Sequence, residues 1–140
     1  MENKRFKPLV DRLFWITLAI TLILLATMSA VVCFSPAALF IIIPVDLAVV
    51  YLLLTSLFGY VELRESSVFV KFGLIMKREI PYGKIRGAFK ERKLYSDSML
   101  SLKNALEHVN IKYNSFDVTT VSVVDNESFC KELEARLGSK

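Results

Sequence analysis

The rhythm of apolar positions divides the chain into two halves. From Leu13 to Phe34 no residue carries a charge. As a helix, that run of about 22 residues would extend roughly 33 Å, enough to cross the hydrocarbon core of a bilayer. Ser35 and Pro36 interrupt it, and Ala37 to Phe58 forms a second stretch of similar length that contains a single charge, Asp46, and ends at Gly59 where charged residues return. The pattern predicts a basic tail over 1–12, spans over 13–34 and 37–58 joined by a very short turn, and a separate domain over 59–140. A signal peptide fits less well, because its apolar region is usually about 7 to 15 residues and no second apolar run should follow. A lipoprotein reading of Cys33 fails on Val32, which stands where that motif wants a small residue.

After Gly59 the period changes to two. Val61 and Leu63 alternate with Glu62 and Arg64, and Val68, Val70 and Phe72 alternate with Phe69 and Lys71, which predicts two strands joined through Glu65, Ser66 and Ser67 as a hairpin. A third strand is expected in Leu74 to Ile80, between Gly73 and the Pro81–Gly83 break. Ile85 to Lys93 reads as a fourth strand. Val109, Ile111 and Tyr113 share one face of another, and Val121 and Val123 mark a further β-branched stretch. Leu94 to Leu106 is open between a serine-rich loop and a short strand around Leu100 and Leu102. The chain closes with a helix: Asp125 as N-cap, Glu127 in the first turn, Phe129, Leu133 and Leu137 on one stripe, and Gly138 as the stop. Phe72, Ile85, Ile111, Val121, Phe129 and Leu133 form the predicted core.

Composition and charge sharpen this picture. Hydrophobic residues make up 54% of the 140, too apolar for an ordinary soluble domain unless part lies in lipid. The net charge of +4 is too small to argue for nucleic acid. Lys4, Arg5, Lys7 and Arg12 precede the first span while the turn between spans has no cation, so the positive-inside bias predicts both termini in the cytoplasm, at the inner membrane if the source is a bacterium. Small residues recur on both segments (Ala26, Ser29 and Ala30; Ala48, Thr55 and Ser56) and would allow close helix packing. An ionised Asp46 near the bilayer centre would cost on the order of 2.5 to 3.5 kcal/mol. It is either an intramembrane polar contact, to a partner helix or to another copy of the protein, or the N-cap of a shorter second helix.

The order Tyr60-Val61-Glu62-Leu63, Gly73, Ile80-Pro81-Tyr82 with Ile85, Ser98 and Ser101-Leu102, Val109-Asn110-Ile111-Lys112-Tyr113, then Phe129 with Leu133, resembles the bacterial pleckstrin-homology-like (PH) family. Within it, the chain is most similar to small membrane proteins with two spans ahead of the domain. The resemblance implies a sharply bent antiparallel sheet of about seven strands capped by the C-terminal helix, and little about activity. Lys103 to His108 departs from the family pattern by holding a few extra residues.

Catalytic signals are sparse. His108, the only histidine, alternates out of phase with Val109, Ile111 and Tyr113 and is predicted to face solvent with Asn110 and Lys112. Cys33 and Cys130 are too far apart in the predicted layout to pair, no metal-ligand spacing is present, and no phosphate-binding glycine loop occurs. No catalytic residue, cofactor or metal is therefore expected. PH domains that hold inositol phosphates use basic residues in the loop joining their first two strands. Glu65 in that loop opposes phosphate, so this function is not carried over. The densest basic group, Lys84, Arg86, Lys90, Arg92 and Lys93, is a candidate surface for an anionic leaflet or an acidic partner, against the alternative of a solvated strand face. The expected function is a non-catalytic, membrane-anchored interaction or scaffold module whose partners are membrane lipids and another protein or a second copy, with no nucleic acid and no identified small-molecule substrate. The alternative is a small subunit of a transport, enzyme or defence system acting through the hairpin and Asp46.

Overall fold

Two long helices, two four-stranded sheets and a C-terminal helix form the framework of the computed structural model, which describes residues 2–96, 98 and 101–138. Helix α1 spans Arg12–Val32 and α2 spans Pro36–Thr55, so at 1.5 Å per residue each is close to 30 Å long. Asp11 caps α1, its Oδ1 accepting the Phe14 N–H at 3.0 Å. Pro36 opens α2, where a missing N–H costs nothing. The two helices expose nearly all their apolar side chains, among them Ile23, Leu24, Phe40 and Leu52. Both are long and apolar enough to cross a membrane.

Strand β1, Lys4–Phe6, precedes both helices and pairs antiparallel with β2, Tyr60–Leu63, which follows them. The segment read as a basic tail is therefore the edge strand of the first sheet. Its Phe6 is buried and meets Phe129 edge-on at 5.2 Å. β2 pairs with β3 (Ser67–Phe72) and β3 with β4 (Met76–Pro81). After a 3-10 turn at Tyr82–Lys84, the second sheet takes the order β5 (Ile85–Arg92), β7 (Glu107–Tyr113), β8 (Asp117–Val121), β6 (Ser101–Leu102). Seven strands follow the spans, as the resemblance implies, and β1 makes eight. One pairing, β6 with β8, is parallel, so the sheets are not wholly antiparallel. The open stretch 94–106 resolves at its end into β6, a short strand at Leu102; Leu100 lies outside the described residues.

Helix α3, Asn126–Gly138, closes the barrel-like space between the sheets. Asp125 caps it through the Ser128 N–H at 2.9 Å, as its sequence pattern predicts. Phe129 and Leu133 are fully buried against Val61, Val70, Val109, Ile111 and Val121. The predicted core residues lie within or against this cluster, Ile85 at its margin.

The outward prediction for His108 and Asn110 is wrong. Both are buried, although they alternate with Val109 and Ile111 as expected. The reason lies in the sheet: β7 is an interior strand, between β5 and β8, so the polar side chains on this face meet those of neighbouring strands. The buried groups on that face satisfy one another where they can: Thr120 Oγ1 donates to Asn110 Oδ1 at 2.6 Å, Asn110 Nδ2 to Glu91 Oε2 at 3.0 Å, and Ser122 Oγ to the Glu107 carbonyl at 3.1 Å. His108 Nδ1 lies 2.9 Å from the Leu106 carbonyl, while Nε2 has no partner among the described residues.

Candidate functional site

The helical hairpin enters and leaves the domain at one end. The Asp11 carboxylate that caps α1 also accepts the Leu106 N–H at 2.9 Å, and Leu106 in turn accepts the Lys93 N–H at the end of β5. On the other side, α2 runs through the 3-10 turn Ser56–Phe58 into Gly59 and β2. Two glycines permit this junction. A Cβ on Gly59 would meet the Leu102 side chain and the Lys71 carbonyl, and one on Gly73, whose φ is +70°, would strike the side chain and carbonyl of Thr55, the last residue of α2. The β3–β4 turn thus abuts the end of α2. The β2–β3 and β7–β8 turns lie at the opposite pole.

Measured along this axis, the five basic residues do not form one patch. They run the length of β5, roughly 25 to 30 Å at ~3.3 Å per residue, three times the physiological screening length of about 8 Å. Lys84 sits in the 3-10 turn at the far pole and Arg86 in a β-bulge between Ile85 and Gly87. Arg92 and Lys93 lie at the hairpin end. Two of the five charges are matched locally: Lys90 lies 3.2 Å from Glu127 and 3.7 Å from Glu107, and Lys93 lies 2.8 Å from Glu91. The Glu127 hydrogen bond, ahead of the opposing loss of solvation, raises the Lys90 pKa. Lys84, Arg86 and Arg92 make no ion pair among the described residues.

Sequence reasoning missed a different grouping at the far pole. The β5–β7 register brings Lys112 over the Phe89 ring at 5.2 Å, and these two line a depression of about 370 Å³ with Arg86 and Phe116. Phe116, in the β7–β8 turn, is 97% exposed. A phenylalanine flanked by Ser115 and Asp117, in what proves to be the β7–β8 turn, was the available signal, since turn residues are normally polar. Its neighbours come from another strand and could not be assigned without the register.

The loop between β2 and β3 offers no phosphate cradle. Arg64 is engaged by Glu62 at 3.1 Å and Glu79 at 3.4 Å, and its carbonyl accepts from the Tyr82 hydroxyl and from Arg136. Glu2 and Glu65 line the adjoining surface. Within the hairpin, Asp46 lies mid-helix in α2 and not at a helix start, and its carboxylate accepts a hydrogen bond from Ser29 Oγ of α1. Cys33 and Cys130 are both free thiols. Among the described residues no group of three or more His, Cys, Asp and Glu side chains is placed to hold a metal ion.

No curated protein and no solved structure matches the chain. Among protein-family models, the one described as Bacterial PH domain matches residues 59–137, a stretch that begins where α2 hands over to β2 and ends within α3. With seven strands and a capping helix in that stretch, the chain belongs to the bacterial PH domain family.

Proposed function

We propose that the protein is a non-catalytic, membrane-anchored PH module: the hairpin α1–α2 fixes it in a bilayer, and the β domain stands at the cytoplasmic surface as a platform for another protein. The observation that carries this reading is the insertion of the hairpin between paired strands. β1 and β2 are neighbours in one sheet, yet 53 residues, 7–59, separate them, most of them in two apolar helices of membrane length. Because β1 and β2 must share a compartment, the intervening helices cross the bilayer an even number of times. Lys4, Arg5, Lys7 and Arg12 all lie on the domain's side, and the Cys33–Ser35 turn is uncharged, which favours the cytoplasm for that side. PH domains generally mediate lipid or protein contacts, and the Arg86–Phe89–Lys112–Phe116 surface, at the pole away from the hairpin, supports the protein arm of that choice. The pairing of Asp46 with Ser29 occupies the carboxylate inside the hairpin, so the hairpin serves first as an anchor.

Topology reporters test this directly. Fusions after Lys140 should be active only as cytoplasmic reporters, and a cysteine-specific, membrane-impermeant reagent should label Cys33 from outside intact cells. A C-terminal reporter active on the outer side, or Cys33 labelled only after lysis, would overturn the orientation.

A further inference from the structure

Three consecutive large apolar residues occupy the turn between β3 and β4 and the first position of β4. Leu74 is 58% exposed, Ile75 78% and Met76 50%, and Phe58 beside the end of α2 is 57% exposed. Turns in water are ordinarily polar, and an exposed apolar group of this size marks an interaction surface. Its location identifies the occupant. The turn starts at Gly73, whose contact with Thr55 sets it level with the last residue of α2. If α2 crosses the bilayer, Thr55 lies where hydrocarbon gives way to head groups, and Leu74, Ile75 and Met76 lie at the same depth.

A second apolar group flanks the other helix. Leu94, 77% exposed, borders a crevice with Leu13, Phe14 and Thr17 in the first turns of α1, and Tyr95 beside it is 65% exposed. Trp15 is half exposed on α1, where an aromatic belt is expected. Lys71 and Lys77 pair across the foot of the β3–β4 hairpin, positioned to reach head groups while the turn dips deeper.

We propose that the Leu74–Met76 turn is a third membrane contact, an apolar wedge inserted among the head groups and upper acyl chains of the same leaflet from which α2 emerges. The proposal rests on the reading of α1 and α2 as spans. With α1 and α2, the wedge makes a three-point attachment that fixes the tilt of the domain and keeps the Arg86–Phe116 pole pointed away from lipid. Apolar burial, rather than the basic residues of β5, then sets the orientation.

The test uses the full chain, made cysteine-free by Cys33→Ser and Cys130→Ala, in liposomes. Single cysteines introduced by Ile23→Cys, Ile75→Cys and Ser115→Cys carry an environment-sensitive fluorophore. Nitroxides on lipid chains at shallow and deep positions and aqueous iodide serve as quenchers. Expected is quenching of the Ile23 site by deep nitroxide, of the Ile75 site by shallow nitroxide several-fold more than the Ser115 site, and of the Ser115 site by iodide alone. Adding Leu74→Ser and Met76→Ser should cut the lipid quenching at position 75 several-fold while circular dichroism stays unchanged. Deep quenching at 23 with iodide quenching at 75 overturns the wedge and leaves the spans standing. Shielding of 75 from both iodide and lipid nitroxide assigns the turn to a protein contact and also overturns it. Absence of deep quenching at 23 removes the spanning reading itself.

Discussion

Replacing Arg136 by methionine keeps the inner, apolar part of the side chain and removes its charge at the point where three parts of the domain meet. The Arg136 side chain is only 3% exposed. Its guanidinium donates to the carbonyls of Leu63 (3.3 Å), Arg64 (2.9 Å) and Glu2 (2.8 Å) and to Glu132 Oε1 at 3.2 and 3.3 Å, tying the end of α3 to the β2–β3 loop and to the chain ahead of β1. A hydrogen bond to a charged group is worth about 1.5 to 3 kcal/mol net, but the effects are not additive within one network. Arg64 O keeps the Tyr82 hydroxyl at 2.7 Å, and Glu132, a third exposed, keeps Lys4 at 3.5 Å, so neither is fully orphaned. The carbonyls of Leu63 and Glu2 lose the guanidinium outright. The expected cost is about 3 to 5 kcal/mol, the range for removing one member of a buried charged network, against a typical total of 5 to 15. Arg136→Lys should fall between, since it keeps the charge and loses the planar fork. Pulse proteolysis of the full chain in micelles over a urea series measures the loss, and hydrogen exchange should show the amides of residues 4–6 exchanging faster in Arg136→Met. A loss below about 1 kcal/mol would refute the view that Arg136 clamps the domain.

Phe6→Ala should cost about 3 to 4 kcal/mol in the same assay, because Phe6 is 8% exposed and packs edge-on against Phe129; an unchanged midpoint would show that β1 is dispensable. Domain stability should also fall in acid. Hydrogen bonds from Arg136 and then the charge of Lys4 hold the Glu132 carboxyl below its ordinary value of 4.5, and the Ser67 hydroxyl followed by Arg64 does the same for Glu79. A folded-state pKa below the unfolded one adds stability that is present above 4.5 and disappears as pH falls through the depressed value. Urea midpoints should therefore be flat near neutrality and decline below about pH 5, and Arg136→Met should shallow that decline by removing the share of Glu132. A decline of equal steepness in both proteins would contradict the assignment.

Features that depend on near neighbours in the chain were legible from the residues. Apolar runs of span length, the alternation of Val61 with Leu63 and of Val68 with Val70, and the Asp125 cap with its Phe129–Leu133 stripe each lie within one element, and all appear where the pattern puts them. Features that depend on distant partners were not. Lys-Arg-Phe is too short to show a period, so β1 became visible only through its pairing with β2. The alternation of His108 with Val109 was correct, yet its burial depends on the interior place of β7 between β5 and β8.

The same division applies to the candidate surfaces. Five cations within ten residues look like a patch in one dimension. Extended at about 3.3 Å per residue they reach from one pole of the domain to the other, and ion pairs with Glu127 on α3 and Glu91 on the same strand match two of them. The sequence by itself determined the presence of two membrane-length helices and a β-rich domain after them, because hydrophobic run length and strand alternation are local properties of the chain. Only tertiary structure decided which face meets what. The contact of Gly73 with Thr55, the stacking of Lys112 on Phe89 and the seating of Phe6 on Phe129 join residues 18 to 123 positions apart, and a one-residue slip of β1 or of β5 would turn Phe6 or Phe89 to the opposite face.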